Sequence, residues 1–359
     1  MGYTPTKFIW HNGRFVPWEQ ATTHVLAHAI HYGSSVFEGI RAYPTPRGPA
    51  AFRLGEHIRR FFDSAKIYQI PIPYTADEIY RASLEAVSRN ELNSAYIRPV
   101  AFRGPGSFGL SNGGGTPVEV AVAAIEWGAY LGEAGLRDGV DVCVSSWTRI
   151  APNTLPVLAK AGGHYLSSQL IASEASRNGF VEGIALDASG SLSEGSSENL
   201  FIVRGGTIYT TPLSASILQG ITRDTVITLA EHLGYEVREQ CMPREILYIA
   251  DEVFFTGTAA EVTPVRSVDR IPVGNGARGP ITHELQKAFF GLFTGETPDH
   301  WKWLDYVSGE RPTVVTAPNA ARANGTHSAL PPSQNGHHTP HPPHPPHTPH
   351  TPAPVSGAR

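Results

Sequence analysis

The sequence predicts a mixed α and β protein built as two folded units, and three observations carry that reading. Its 359 residues suffice for two domains at roughly 100–200 residues each. Strand-like apolar runs alternate with helical periodicity from about residue 8 until the core ends near Gly309. A stretch with four glycines, Gly128 to Gly139, interrupts that pattern just before a fresh strand. The predicted division is residues 1–127 as a small N-terminal α/β domain, 128–139 as the connection, 140–310 as a larger domain and 311–359 as a tail.

Each element has a local reason. Thr75-Ala-Asp-Glu78 reads as a capping box that opens a helix with Ile79, Ala82, Ala86 and Val87 facing inward. Tyr96 to Phe102 and Val118 to Ile125 read as strands joined by the long glycine-rich segment Gly104 to Thr116. In the second domain, Val140 to Ser146 starts a strand, and His164 to Asn178 forms a helix stopped by Gly179. Gly183 to Asp187 follows as a strand, then a hairpin turning at Gly205-Gly206. Thr222 to Leu233 is a helix ended by Gly234, Glu252 to Gly257 a buried strand, and Ile281 to Phe293 a last amphipathic helix.

Composition excludes several functional classes. The formal net charge of −4 divides into +3 for the tail, which has three arginines and no other charge, and −7 for the rest. A mildly acidic body argues against nucleic acid as a partner. No stretch reaches the ~20 apolar residues of a membrane helix, so no membrane partner is expected. Cys143 and Cys241 lie far apart without a CxxC pair, which points to a reducing, cytoplasmic setting with neither disulfide nor structural zinc. The tail, rich in proline and carrying seven of the sixteen histidines, offers almost no apolar surface and is expected to be disordered. Nothing in it fixes a coordination geometry, so no functional metal site is expected.

One motif is a decoy. Gly104-Pro-Gly106-Ser-Phe-Gly109 satisfies GxGxxG, but another strand follows it instead of the helix that a dinucleotide site requires. The informative anomaly is lysine, with five against twenty-three arginines. Where lysine persists in an apolar setting, one reading is that the position requires an amine able to form a Schiff base, which a guanidinium cannot do. Lys160, in Leu155-Pro-Val-Leu-Ala-Lys-Ala-Gly-Gly163, is that case; the alternative is a surface lysine at the head of a helix. Gly220-Ile221-Thr222 at a helix start and Thr256-Gly-Thr258-Ala259-Ala260 after a strand are candidate anion-binding turns. Glu194 is a candidate carboxylate for a pyridine nitrogen, with Glu198 as its rival.

Six separated blocks give the chain a specific resemblance: His31 to Arg41, Ser94 to Pro99, Ala151 to Thr154, Ala159 to Tyr165, Ser193 to Phe201 and Gln219 to Asp224. From about Ile9 to Asp305 the sequence resembles the pyridoxal-phosphate enzymes of fold type IV, and within them the bacterial branched-chain amino-acid aminotransferases. The resemblance implies a two-domain fold type IV structure whose larger domain binds pyridoxal 5′-phosphate. Lys160 would hold that cofactor and, once freed by substrate, move the substrate proton. Glu194 would pair with the ring nitrogen and Tyr165 with the ring hydroxyl, while Leu218 would pack on the ring face. Arg60, Gly220, Ile221, Thr222 and Thr258 would hold the phosphate.

For substrates, the resemblance places Phe37, Tyr32, Trp127, Tyr130 and Tyr165 around an apolar pocket suited to leucine, isoleucine and valine. Tyr96 and the Thr258 and Ala259 amides would meet the α-carboxylate, and Arg98 the second carboxylate of L-glutamate or its 2-oxo acid. Tyr32 and Phe108 to Leu110 would come from the neighbouring subunit, so a homodimer is the minimal expected unit and higher assembly is compatible with it. Sister activities on the same fold remain as alternatives: D-amino-acid or amine aminotransferases and aminodeoxychorismate lyase. A catalytically silent scaffold is the alternative from a different class.

Overall fold

A computed structural model describes residues 4–111, 116–128 and 132–308. The predicted tail therefore lies outside the described residues. The capping box forms as its sequence dictates. Glu78 N donates to Thr75 Oγ1 at 3.2 Å while Thr75 N donates to Glu78 Oε2 at 2.7 Å. Helix Ala76–Arg89 follows, with Ile79, Ala82, Ala86 and Val87 all buried. Packed against it is a helix the sequence reading did not assign, Leu54–Ile67, whose Leu54, Ile58, Phe61 and Ala65 form one buried stripe.

These helices cover an antiparallel sheet. Among the described residues its strand order is Leu304–Tyr306, Ala50–Phe52, Ile40–Tyr43, Ala95–Arg103, Val118–Ile125, Phe8–His11 and Arg14–Pro17. Ser35–Phe37 pairs separately with Ala95–Arg103. The second sheet runs in the order Leu192–Gly195, Glu182–Leu186, Val140–Val144, Glu261–Val268, Glu252–Gly257, Asn199–Arg204, Thr207–Thr210 and Val237–Glu239. It is mixed: Val140–Val144 lies parallel to both its neighbours, whereas the centre is antiparallel. The hairpin at Gly205-Gly206 forms with φ of +57° and +81°, values that glycine adopts without a Cβ penalty.

Helices Tyr165–Arg177, Ile221–His232 and Pro280–Thr294 flank the second sheet, within a residue or two of their predicted limits. The connection read at 128–139 contains a short helix, Glu133–Asp138, bounded by Gly132 and Gly139 at positive φ. The two sheets share an aromatic core. Tyr43 stacks on Phe293 at 3.6 Å, and Phe52 meets Phe289 and Trp303 edge-on at 5.7 and 5.9 Å. Among the described residues no helix is long and apolar enough to cross a membrane.

Candidate active site

A cavity of about 310 Å³ opens where the two sheets meet, and Lys160 projects into it. The lysine is held by its backbone from two elements of the first sheet's layer. Its N–H donates to Ser64 Oγ on helix Leu54–Ile67 at 2.9 Å, and its carbonyl accepts from Phe37 N at 3.0 Å. Next to it Ala161 bridges to Val36. The side chain is only partly buried, and Nζ donates to Tyr165 Oη at 2.6 Å. Lys160 thus precedes helix Tyr165–Arg177 and faces the cavity, which removes the surface-lysine alternative.

Glu194 lines the opposite part of the cavity and Glu198 does not. Glu198 is buried but accepts from Ser197 Oγ and N at 2.7 and 3.1 Å. The Glu194 carboxylate is fixed on both oxygens. Oε1 accepts from Arg149 Nη2 at 2.6 Å and Oε2 from Asn199 Nδ2 at 2.9 Å, with Leu218 N shared between them. An ionised carboxylate has about four lone-pair sites, so three protein donors leave one acceptor site for a group in the cavity. Burial pushes the Glu194 carboxyl up to about 7, with Arg149 as the chief influence in the other direction. Asn199 also donates to Leu218 O at 2.9 Å, and only glycine fits beside it: a Cβ on Gly220 would stand 1.9 Å from Asn199 Oδ1.

The candidate anion site is assembled from three elements. Ile221 and Thr222 begin helix Ile221–His232, where the first amides have no carbonyl within the helix to bond. Thr258 and Ala259 lie in the turn between strands Glu252–Gly257 and Glu261–Val268, and the buried Thr256 Oγ1 has no hydrogen-bond partner among the described residues. Arg60 reaches over from helix Leu54–Ile67 and donates to Gln219 O at 2.8 Å. Sequence reasoning missed what aims Arg60. The fully buried Glu38 accepts from Arg60 Nε and Nη2 at 2.6 and 2.9 Å and from His57 Nδ1 at 2.7 Å. Burial alone would raise the Glu38 carboxyl, but Arg60 and His57 override it and hold it well below the usual carboxylate range. Glu38 sits inside the block His31 to Arg41, but nothing in the sequence marked which charge it would face.

Phe37, Tyr96, Trp127 and Tyr165 form an aromatic wall: Phe37 meets Tyr165 at 4.9 Å, and Tyr96 stacks on Trp127 at 4.9 Å. The turn at Gly39 lets Tyr96 approach, since a Cβ there would lie 1.8 Å from Tyr96 Oη. Arg98 lies within this wall, its guanidinium carbon 4.7 Å from the Phe37 ring centre. It donates to Tyr96 Oη at 3.3 Å, and no carboxylate among the described residues pairs with it. Leu218 and Gly220 also line the cavity. Tyr130 lies outside the described residues. Tyr32, expected to serve the neighbouring subunit, does not line this cavity; it is 44% exposed and donates to Phe108 O at 3.1 Å.

Comparison with known proteins gives this geometry a family. The sequence model for amino-transferase class IV matches residues 35–268, and the chain belongs to that class. It is 56% identical over 301 residues to the branched-chain-amino-acid aminotransferase of Escherichia coli (strain K12), covering 84% of this chain and 97% of that one. The relative of that name in Pseudomonas aeruginosa is 50% identical over 299 residues, covering 83% and 97%. The crystal structure of the Escherichia coli enzyme superposes with a TM-score of 0.83 over 84% of this chain and all of that one. The branched-chain enzyme of Thermobaculum terrenum, solved in its PLP form, is 36% identical with a TM-score of 0.78, covering 85% and 99%. Within class IV, this chain belongs to the branched-chain-amino-acid aminotransferases.

Proposed function

We infer that the protein transfers the amino group between branched-chain L-amino acids and 2-oxoglutarate with pyridoxal 5′-phosphate as cofactor. The observation that carries this reading is one cavity holding an amine, a buried carboxylate with one acceptor site left, an anion cradle and an arginine set among aromatic rings. When bound, the cofactor supplies an electron-withdrawing ring and a carbonyl carbon that takes the amino group from one substrate for delivery to the next. Lys160 would hold it at its reactive end, with Tyr165 at the ring hydroxyl, Glu194 at the ring nitrogen and Leu218 against the ring. Arg60, Gly220, Ile221, Thr222 and Thr258 would hold its phosphate.

Lys160 Nζ is the base that takes and returns the substrate α-proton, and Tyr165 Oη, 2.6 Å away, orients that amine. Phe37, Trp127 and Tyr165 exclude water from an aliphatic side chain. The Thr258 and Ala259 amides and Tyr96 receive the α-carboxylate. Arg98 allows the same pocket to take glutamate, because its unneutralised cation can meet the distal carboxylate of that substrate and not of leucine. Arg98→Ala is therefore expected to lower kcat/KM for L-glutamate and 2-oxoglutarate about 100-fold, roughly the value of a charge-assisted bond, and for L-leucine by less than about fivefold. Equal losses in steady-state assays of both substrates would refute this role.

The test of the reading itself is the visible absorption of the purified protein. L-Leucine should bleach the band of the bound cofactor and 2-oxoglutarate should restore it, while a response to D-alanine alone would move the protein to a sister activity.

The working unit in this reading is a homodimer. Phe108 and Leu110, 54% and 77% exposed, form an apolar surface around Tyr32 that a second copy would cover while completing the neighbouring cavity. Light scattering should give at least twice the 38.7 kDa of one chain; a monomer with full activity would exclude this arrangement. A cytoplasmic location, with both cysteines kept reduced, belongs to the same reading.

A further inference from the structure

Arg149 lines the cavity but has no place in the roles assigned above. It emerges just beyond strand Val140–Val144, and its side chain is 8% exposed. A buried guanidinium is stable only with a close counter-charge, and Arg149 has one: Nη2 lies 2.6 Å from Glu194 Oε1, while Nη1 donates to Ser168 Oγ at 3.3 Å. Its Nε has no partner among the described residues. The guanidinium is therefore braced by helix Tyr165–Arg177 on one side and committed to a single carboxylate on the other.

We propose that Arg149 is a positioning residue that keeps Glu194 ionised and holds its remaining acceptor site toward the cavity, so that the proton shared with the cofactor's ring nitrogen resides on the ring. This rests on the reading of Glu194 as the ring partner. A buried carboxyl facing a pyridine has two ways to share one proton, and only the arrangement with the proton on nitrogen makes the ring a strong electron sink. Burial favours the neutral carboxyl. The guanidinium at 2.6 Å favours the carboxylate, and it does so on the oxygen that Asn199 leaves open, so the two donors anchor both oxygens without filling the last acceptor site. In the empty site burial outweighs the guanidinium and raises the carboxyl, with Arg149 as the chief opposing influence; the ring nitrogen is the partner that would complete the balance in the loaded site.

The test uses holoenzyme loaded with cofactor carrying ¹⁵N at the ring position, with wild type, Arg149→Met, Arg149→Gln, Arg149→Lys and Glu194→Gln compared at one pH. The ring ¹⁵N resonance reports where the proton sits independently of turnover. Wild type should show a protonated ring nitrogen. Arg149→Met should move it toward the unprotonated position and lower kcat about 10- to 100-fold, the effect of removing one close opposite charge, with the KM for L-leucine changed less than about threefold. Arg149→Gln carries the same test should the Met variant not fold. Arg149→Lys, which keeps the charge, should recover most of the protonation. A wild-type ring resonance in both neutral variants, with a shifted one in Glu194→Gln, would overturn the role of Arg149 and leave that of Glu194 standing. An unshifted resonance in Glu194→Gln would instead remove the premise, and the proposal with it.

Discussion

Lys160→Ala is expected to lower transamination by at least about 10⁴-fold, because in the proposed function this residue is both the covalent hold on the cofactor and the base for the α-proton. The loss should be chemical and not structural. Among the described residues the side chain makes one hydrogen bond, to Tyr165, whereas the bonds that fix this segment use the backbone: Lys160 N to Ser64 Oγ and Phe37 N to Lys160 O. Alanine keeps both, so thermal unfolding of the apo variant should fall within about 1 kcal/mol of wild type. Arg60, Ile221, Thr222 and Thr258, to which the proposed function assigns the phosphate, are untouched, so the variant should still take up pyridoxal phosphate without attaching it. Equilibrium dialysis measures that uptake, and mass spectrometry after borohydride treatment should find the cofactor on wild type only. Turnover within tenfold of wild type would end the assignment of Lys160.

What was legible in the sequence follows from the range of the interaction that encodes it. The helix after Thr75 and the hairpin at Gly205-Gly206 rest on residues within a few positions of each other, and both form as read. The lysine anomaly was also local, since five lysines among so many arginines make Lys160 conspicuous. The supporting charges were not. Glu38 and Arg60 are 22 residues apart, Arg149 and Glu194 are 45 apart, and neither pair has a spacing that marks it. Leu304–Tyr306 pairs with Ala50–Phe52 across most of the chain, a register that no local pattern states. Short pieces were lost for another reason: Glu133–Asp138 is a helix of six residues between two glycines, and its glycines dominate a reading by composition. The residues proposed to meet substrate and cofactor thus came from motifs and the family resemblance, and the residues that aim them came only from the fold.

Glu194→Gln separates these two layers, and it is expected to lower kcat about 10²- to 10³-fold while preserving cofactor binding. Glutamine keeps the size of the side chain and can still accept a hydrogen bond, but it cannot carry the negative charge that holds a proton on the ring nitrogen. In the empty site near pH 5 the raised carboxyl is neutral and still accepts from Arg149 and Asn199. Glutamine offers one acceptor oxygen in place of two, so the apo variant should unfold more readily than wild type there by about 1–3 kcal/mol. The pH dependence sets this folding effect apart from the catalytic one. In the apo wild type, burial raises the Glu194 carboxyl from 4.5 to about 7, so between those pH values the folded chain keeps a proton that the unfolded chain has lost. Stability contributed by this group is therefore present below about pH 4.5 and is lost as pH rises through about 7. Glutamine does not titrate, so the gap between variant and wild type in denaturant midpoint should narrow from pH 5 to pH 8. The deficit in kcat should persist across that range, because in the loaded enzyme it reflects the missing charge beside the ring and not the proton balance of the empty fold. A kcat for Glu194→Gln equal to wild type would return the ring nitrogen to another partner. A gap in stability that widened with pH would mean that the carboxyl is ionised in the empty site.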